Sequence, residues 1–123
     1  HIVNDVTRED AAQVGMEEVA EIIDNGDSLL STVLHRTSPE FNENFYNADV
    51  VICKGMGNFE GLHACNRGNL WFMLIAKCPT IAKMTKAPKG SILCIRKENL
   101  TIVVNQVKRS ILLIKLLDSF LYH

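Results

Sequence analysis

Val50-Val51-Ile52-Cys53-Lys54-Gly55-Met56-Gly57-Asn58-Phe59 is the stretch on which the fold turns. Its first four residues form an unbroken apolar run of strand length, the pattern expected of a strand covered on both faces. A lysine and two glycines follow at once, and a helix is expected from Phe59 to about Cys65. Strand, tight turn and helix in this order are one half of a βαβ unit.

Working outward, Leu70-Trp71-Phe72-Met73-Leu74-Ile75-Ala76 is apolar throughout and stops at Lys77-Cys78-Pro79, so it reads as a second buried strand. A short helix over Ile81–Thr85, a turn at Pro88-Lys89-Gly90 and a strand over Ser91–Ile95 continue the alternation. Upstream, Ser38-Pro39 supplies a capping serine and a proline at the first helical position. Phe41 and Phe45 then recur on one face of a helix ending near Asn47. Thr7, with Asp10 three positions on, predicts a helix starting near Arg8, with Ala11, Ala12, Val14, Gly15 and Val19 at roughly helical spacing. Ile2-Val3 and Glu21-Ile22-Ile23-Asp24 read as strands, the second stopped by Asn25-Gly26. Strands alternating with helices imply an α/β layer fold with a mostly parallel sheet. After Arg96 the texture changes: Leu100–Val104 reads as an edge strand and Gln106–Leu121 as a helix apolar almost all round, which needs cover or marks an oligomer interface.

The 123 residues allow one domain, and 47% apolar against 22% charged side chains excludes a disordered chain. A formal charge of −1 is too balanced to hold a long polyanion, so nucleic acid is not an expected partner. The stretch Ile111–Leu121 contains Lys115 and Asp118 and is too short to span a bilayer, so no membrane is expected either. Cys53, Cys65, Cys78 and Cys94 contain no Cys-x-x-Cys pair and are expected as reduced, buried thiols of a cytoplasmic protein. The N-terminus has no secretory pattern, and a start in His1-Ile2-Val3 reads as cut from something longer.

In open parallel sheets ligands sit beyond the carboxyl ends of the strands. Asn4-Asp5, Asp24-Asn25-Gly26 and Lys54-Gly55-Met56-Gly57-Asn58 fall at such ends. The last offers a cation, exposed backbone N–H groups and the positive end of a helix, a combination suited to phosphate. It is neither a Walker loop nor a dinucleotide fingerprint, because Glu60 stands where a glycine is required and Gly61 comes one place late. A tight turn with a solvated lysine is the plainer reading. Asp5 is a hard donor suited to magnesium or manganese, or else a helix cap; Asn25-Gly26 reads as a turn. His35 and His63 have no partner at ligand spacing, and His1 and His123 are terminal.

Five segments, Val3–Ala11, Ile23–Gly26, Phe41–Asp49, Val51–Glu60 and Ala76–Ala82, resemble in order the C-terminal part of the damage-control phosphatase family, also called the acidic-residue methyltransferase-like metal-binding domain and formerly a domain of unknown function. The resemblance covers residues 1–95 and leaves 96–123 as an unmatched tail. It implies a three-layer α/β/α sandwich of Rossmann-like character, incomplete at its N-terminus. It also implies a metal-dependent phosphatase acting on small phosphorylated metabolites with manganese, magnesium, cobalt or nickel as cofactor. By the same resemblance Asp5 is a catalytic metal ligand and Lys54 a catalytic cation. Lys54, Gly55, Gly57, Asn58, Asn25 and Gly26 then line the phosphate pocket. The family's other metal ligands precede the Asn-Asp motif and have no counterpart in this sequence, so the chain alone is expected to be inactive. The alternative is a non-catalytic remnant, or a phosphate- or nucleotide-binding module of the same fold.

Overall fold

The computed structural model describes residues 6–99. The strand expected at Ile2-Val3, the Asn4-Asp5 motif, and the strand and helix expected within 100–123 all lie outside the described residues. The elements run α1 (Arg8–Gln13), a 3-10 turn (Met16–Glu18), α2 (Pro39–Asn47), β1 (Val51–Lys54), α3 (Met56–Leu62), β2 (Leu70–Ile75), α4 (Pro79–Thr85), β3 (Ile92–Arg96) and a closing 3-10 turn (Lys97–Asn99).

Three strands form one mixed sheet in the order β1-β2-β3. β1 and β2 are parallel, with Cys53 opposite Phe72 and Lys54 opposite Met73, and α3 makes the crossover between them. β3 runs antiparallel to β2, pairing Met73 with Cys94 and Ile75 with Ile92, an edge arrangement common on α/β sheets. The expected α/β architecture is therefore present.

Side chains alternate across a strand, so each strand has an inward row. Val51 and Cys53, Leu70, Phe72 and Leu74, and Leu93 and Ile95 are buried in a single cluster with Phe41 and Phe45 of α2, Phe59 and Leu62 of α3, and Ile81 of α4. Phe59 meets Phe72 edge-on at 5.1 Å, the geometry the ring quadrupoles favour. Three helices thus contribute to a core on one face of the sheet. The other face carries Ile52, Trp71, Met73 and Ile75, which are half-buried and lie outside that cluster. Both faces of β1 are thus apolar, and among the described residues the helices of the core cluster lie on one of them.

Local chemistry sets the helix ends. Ser38 Oγ accepts from the Phe41 N–H at 3.1 Å, and Pro39 occupies the first turn, where no amide is needed. At the other end of α2 the Arg67 guanidinium donates to the carbonyls of Phe45 and Ala48 and lies 5.1 Å from the Phe45 ring centroid. It satisfies acceptors that a helix C-terminus leaves open. α3 starts three residues earlier than expected because Gly55, at φ 91°, already makes the turn.

The N-terminal third departs most from expectation. Thr7 and Asp10 do close a reciprocal cap, with Asp10 Oδ2 2.8 Å from the Thr7 N–H. However, Gly15 adopts a left-handed φ of 68° and ends the helical period, so only Ala11 is buried while Val14 and Val19 are 73% and 71% exposed. Residues 21–24 are extended but join no ladder among the described residues. The Ile22 carbonyl instead accepts from Arg8 Nη1 at 3.0 Å, and Ile23 packs against the core edge. The four cysteines are free thiols, but only Cys53 is buried; the rest are partly exposed because each sits at an element end or on the open sheet face.

α3 lies directly on the segment 30–32. A Cβ at Gly57 would run into the Leu30 carbonyl oxygen, and one at Gly61 into that of Thr32. In an exposed helix Gly→Ala gains about 1 kcal/mol of propensity. Here the inserted methyl must move backbone, an overpacking cost of about 1–3 kcal/mol that outweighs it. Gly61→Ala is therefore expected to lower the free energy of unfolding in urea, and an increase would refute the close approach.

Candidate functional site

A concavity of about 660 Å³ lies beside the expected site. Its walls are Val6–Glu9 at the start of α1 and the continuous loop Asp24–Thr32. Asn25 and Gly26, named from sequence, line it. Asn25 Oδ1 accepts from the Asp27 N–H at 2.9 Å, and its carbonyl accepts from the Ser38 N–H at 2.8 Å. Gly26 adopts φ 78° against Ser38, where a Cβ would clash with the serine Cβ. This turn is thereby fastened to the N-terminus of α2.

Lys54 ends β1 at the carboxyl edge of the sheet, and by alternation its side chain belongs to the face opposite the buried row. Gly55 does not offer its N–H to a ligand, since that group donates to the Met73 carbonyl at 2.9 Å; its part is to turn the chain. Asn58 is 1% exposed and bridges two segments. Its Nδ2 donates to the Lys54 carbonyl at 3.0 Å, and its Oδ1 accepts from the Thr32 hydroxyl at 2.7 Å. Thr32, also 1% exposed, belongs to the cavity wall, as does Leu30, on which Gly57 rests. The Lys54–Asn58 motif and the 24–32 loop are thus held together from behind the cavity, by a buried amide and two glycine contacts. Asp5 lies outside the described residues.

The carboxylates beside the cavity are already engaged. Asp10 closes the Thr7 cap, Asp24 Oδ1 accepts from the Gly26 N–H at 2.6 Å, and Asp27 forms a two-pronged pair with Arg36 at 2.9 and 3.1 Å. Among the described residues no group of three or more His, Cys, Asp or Glu side chains could hold a metal ion. The described donor set does not fit a divalent-metal centre by itself. Nor does a cysteine nucleophile emerge: burial pushes the Cys53 thiol up to about 12, leaving it neutral. His63 stacks on Phe59 with its Nδ1 against backbone carbonyls, as a packing residue does.

One cation escaped the reading from sequence. Lys77 follows the end of β2, so it stands at the same carboxyl edge as Lys54 on the adjacent parallel strand, and it is exposed. The signal that finds it is charge segregation. Between Glu60 and Glu98 the chain has no carboxylate, while Arg67, Lys77, Lys83, Lys86, Lys89, Arg96 and Lys97 all fall there. The near-zero total conceals an acidic first half and a basic second half. Among the described residues no helix is long and apolar enough to cross a membrane.

Two expectations test this geometry. Thr32→Val or Asn58→Leu alone strands a buried partner, at about 1–3 kcal/mol each. The double variant should cost clearly less than the sum in a urea double-mutant cycle, and strict additivity would show the two are not bonded. The Arg36 guanidinium holds the Asp27 carboxyl below its ordinary range, and the Thr7 N–H and hydroxyl do the same for Asp10. Depressed carboxyl values stabilise the fold above the unfolded-state value of about 3.9 and lose that contribution as pH falls through the folded one. The urea midpoint should therefore drop on acidification below about pH 4, and less steeply in Asp27→Asn; an equal drop would remove the pair's role.

The family profile described as the Damage-control phosphatase ARMT1-like domain matches residues 1–93. A curated damage-control phosphatase of Pyrococcus horikoshii is 42% identical over 97 residues, which are 79% of this chain and 34% of that protein. An uncharacterized protein of Methanocaldococcus jannaschii is 36% identical over 67% of this chain and 28% of its own length, and a damage-control phosphatase of Archaeoglobus fulgidus 30% identical over 67% and 29%. The crystal structure of a DUF89 family protein from Pyrococcus horikoshii superposes with a TM-score of 0.75 at 42% identity, covering 79% of this chain and 34% of that one. The chain spans about a third of the length of the curated relatives it matches. With the strand–turn–helix at Lys54 and the loop at Asn25-Gly26 inside the matched range, the chain belongs to the damage-control phosphatase ARMT1-like domain family.

Proposed function

We propose that this chain is the phosphate-gripping portion of a divalent-metal-dependent phosphatase that hydrolyses small phosphorylated metabolites. Two of its relatives carry the name damage-control phosphatase, which supports the reaction class. The observation that carries the site is the placement of two lysines at the carboxyl ends of neighbouring parallel strands, Lys54 ending β1 and Lys77 two residues beyond β2. Ligands of α/β sheets gather beyond that edge.

In this reading Lys54 faces a phosphoryl group and offsets the negative charge that grows on its oxygens as the ester bond breaks. Lys77 adds to the same field from the next strand. Such preorganised cations are worth about 2.7–4 kcal/mol of barrier each, because they need no reorientation at the moment of reaction. Gly55 gives the turn its shape, Gly57 lets α3 approach the 30–32 backbone, and Asn58 fixes the Lys54 carbonyl against Thr32. Asn25 and Gly26 line the cavity between the 24–32 loop and the start of α1, and in this reading that cavity takes the organic part of the substrate. Asp5 is assigned as a metal ligand on family resemblance, with the family's other ligands preceding the Asn-Asp motif.

The test uses a chain extended to the length of the relatives, assayed for manganese-dependent hydrolysis of an aryl phosphate ester. Lys54→Ala and Asp5→Asn should each reduce turnover at least about 100-fold, with Lys54→Arg retaining part of the Lys54 contribution. Unchanged turnover in both would remove these roles.

A further inference from the structure

Asn25-Gly26 is a dipeptide with chemistry of its own, because a glycine offers its amide nitrogen to the preceding side-chain amide with no Cβ in the way. In this fold each group that would react is held in place. The Gly26 N–H donates to Asp24 Oδ1 at 2.6 Å. Asn25 Oδ1 accepts from the Asp27 N–H at 2.9 Å, and the Asn25 carbonyl accepts from the Ser38 N–H at 2.8 Å. Nucleophile, electrophile and the backbone between them are thus fixed by three separate hydrogen bonds. Gly26 is exposed and Asn25 half-buried on the cavity wall, so water reaches both. The fold also demands the glycine: at φ 78° a side chain is strained, and a Cβ would stand 2.9 Å from that of Ser38.

We propose that Asn25 is a self-modification site, converted by the Gly26 amide to a cyclic imide and then by water to an aspartate or a β-linked isoaspartate. The Gly26 nitrogen bonds to Asn25 Cγ, and its proton passes to Asp24 Oδ1, the oxygen that already accepts it. A base so positioned contributes a factor of about 10²–10⁴ in comparable proton transfers. Negative charge grows on Asn25 Oδ1 as the bond forms, and the Asp27 N–H faces that oxygen as an oxyanion donor does. The Cγ–Nδ2 bond then breaks, and Nδ2 leaves as ammonia with the proton that Asp24 carried. Water opens the imide at either carbonyl. Addition at Cγ restores the main chain with a carboxylate side chain; addition at the main-chain carbonyl routes the backbone through Cγ, one carbon longer. That second carbonyl is the one Ser38 holds, so the isomer also frees the 24–32 loop from the N-terminus of α2. Either product adds a carboxylate beside Asp24 and Asp27, which opposes an anion in the cavity. Only this last effect rests on the phosphatase reading; the modification itself does not.

Trypsin releases residues 9–36 as one peptide in which Asn25 is the sole asparagine, so conversion is read by its gain in mass and placed by fragmentation. The full 123-residue chain is incubated at neutral pH, folded or in concentrated urea, and compared with a sample digested at the start. Asp24→Asn keeps an acceptor for the Gly26 N–H but removes the base. It should slow conversion at position 25 at least about tenfold in the folded chain. In urea, where nothing holds the two groups together, it should change the rate little. Circular dichroism establishes that the variant is folded, and Asp24→Ser, whose hydroxyl accepts the same bond, takes its place if it is not. An intact Asn25 in the folded parent, after the urea sample has converted, would overturn the proposal. So would equal slowing in both conditions, since the effect would then belong to the local sequence and not to the fold.

Discussion

The contact on which the remaining structure depends is the backbone-to-backbone approach of α3 to the segment 30–32, with the Asn58 amide as its polar rivet. Removing a side chain at Gly57 and Gly61 lets two carbonyls sit where Cβ atoms would otherwise stand. Without that approach Thr32 and Asn58 could not bond at 2.7 Å, and the Lys54 carbonyl would lose the donor that fixes the strand-to-helix turn. A buried polar pair of this kind stabilises modestly when made and costs more when broken, so it constrains position more than it adds energy. The site inherits that precision: the turn bearing Lys54 and the loop bearing Asn25-Gly26 are far apart in sequence and are tied through one amide.

The same constraint explains a pattern that the sequence shows without explaining. Gly55-Met56-Gly57 followed by Gly61 fails the dinucleotide fingerprint because its glycines serve two other purposes. Gly55 supplies a positive φ where the chain leaves the strand, and the other two, four apart on one helix face, make room for a crossing loop. Glycine spacing in a motif therefore reads as geometry first and as ligand chemistry second.

Elements whose signal is local were legible. Ser38-Pro39 and the Phe41/Phe45 pair define α2, Thr7 with Asp10 defines the cap of α1, and the apolar runs at 51–54 and 70–75 become strands. What was not legible depends on partners. Ile22 and Ile23 have strand character, yet a strand exists only where a neighbour offers a ladder, and Arg8 takes the Ile22 carbonyl instead. Val14 and Val19 keep helical spacing on paper, but Gly15 breaks the period and both face water. At the candidate site the Lys54 turn could be named from its place at a strand end, and Asn25 and Gly26 from the end of an expected strand that the structure leaves as extended chain. Thr32 and Lys77 could not, because one matters through a buried bond to a residue far along the chain and the other through the parallel register of two strands.

Net charge misleads for a related reason. A total of −1 describes neither half of this chain, since acidic residues dominate up to Glu60 and vanish until Glu98. The cations of the second half include Lys77 at the sheet edge and Lys83, Lys86 and Lys89 along and beyond α4, all exposed. The segregation along the chain is not a segregation to one end of the sheet: Lys54 and Lys77 stand at the carboxyl ends of β1 and β2, whereas antiparallel β3 carries Arg96 to the other end, opposite Trp71.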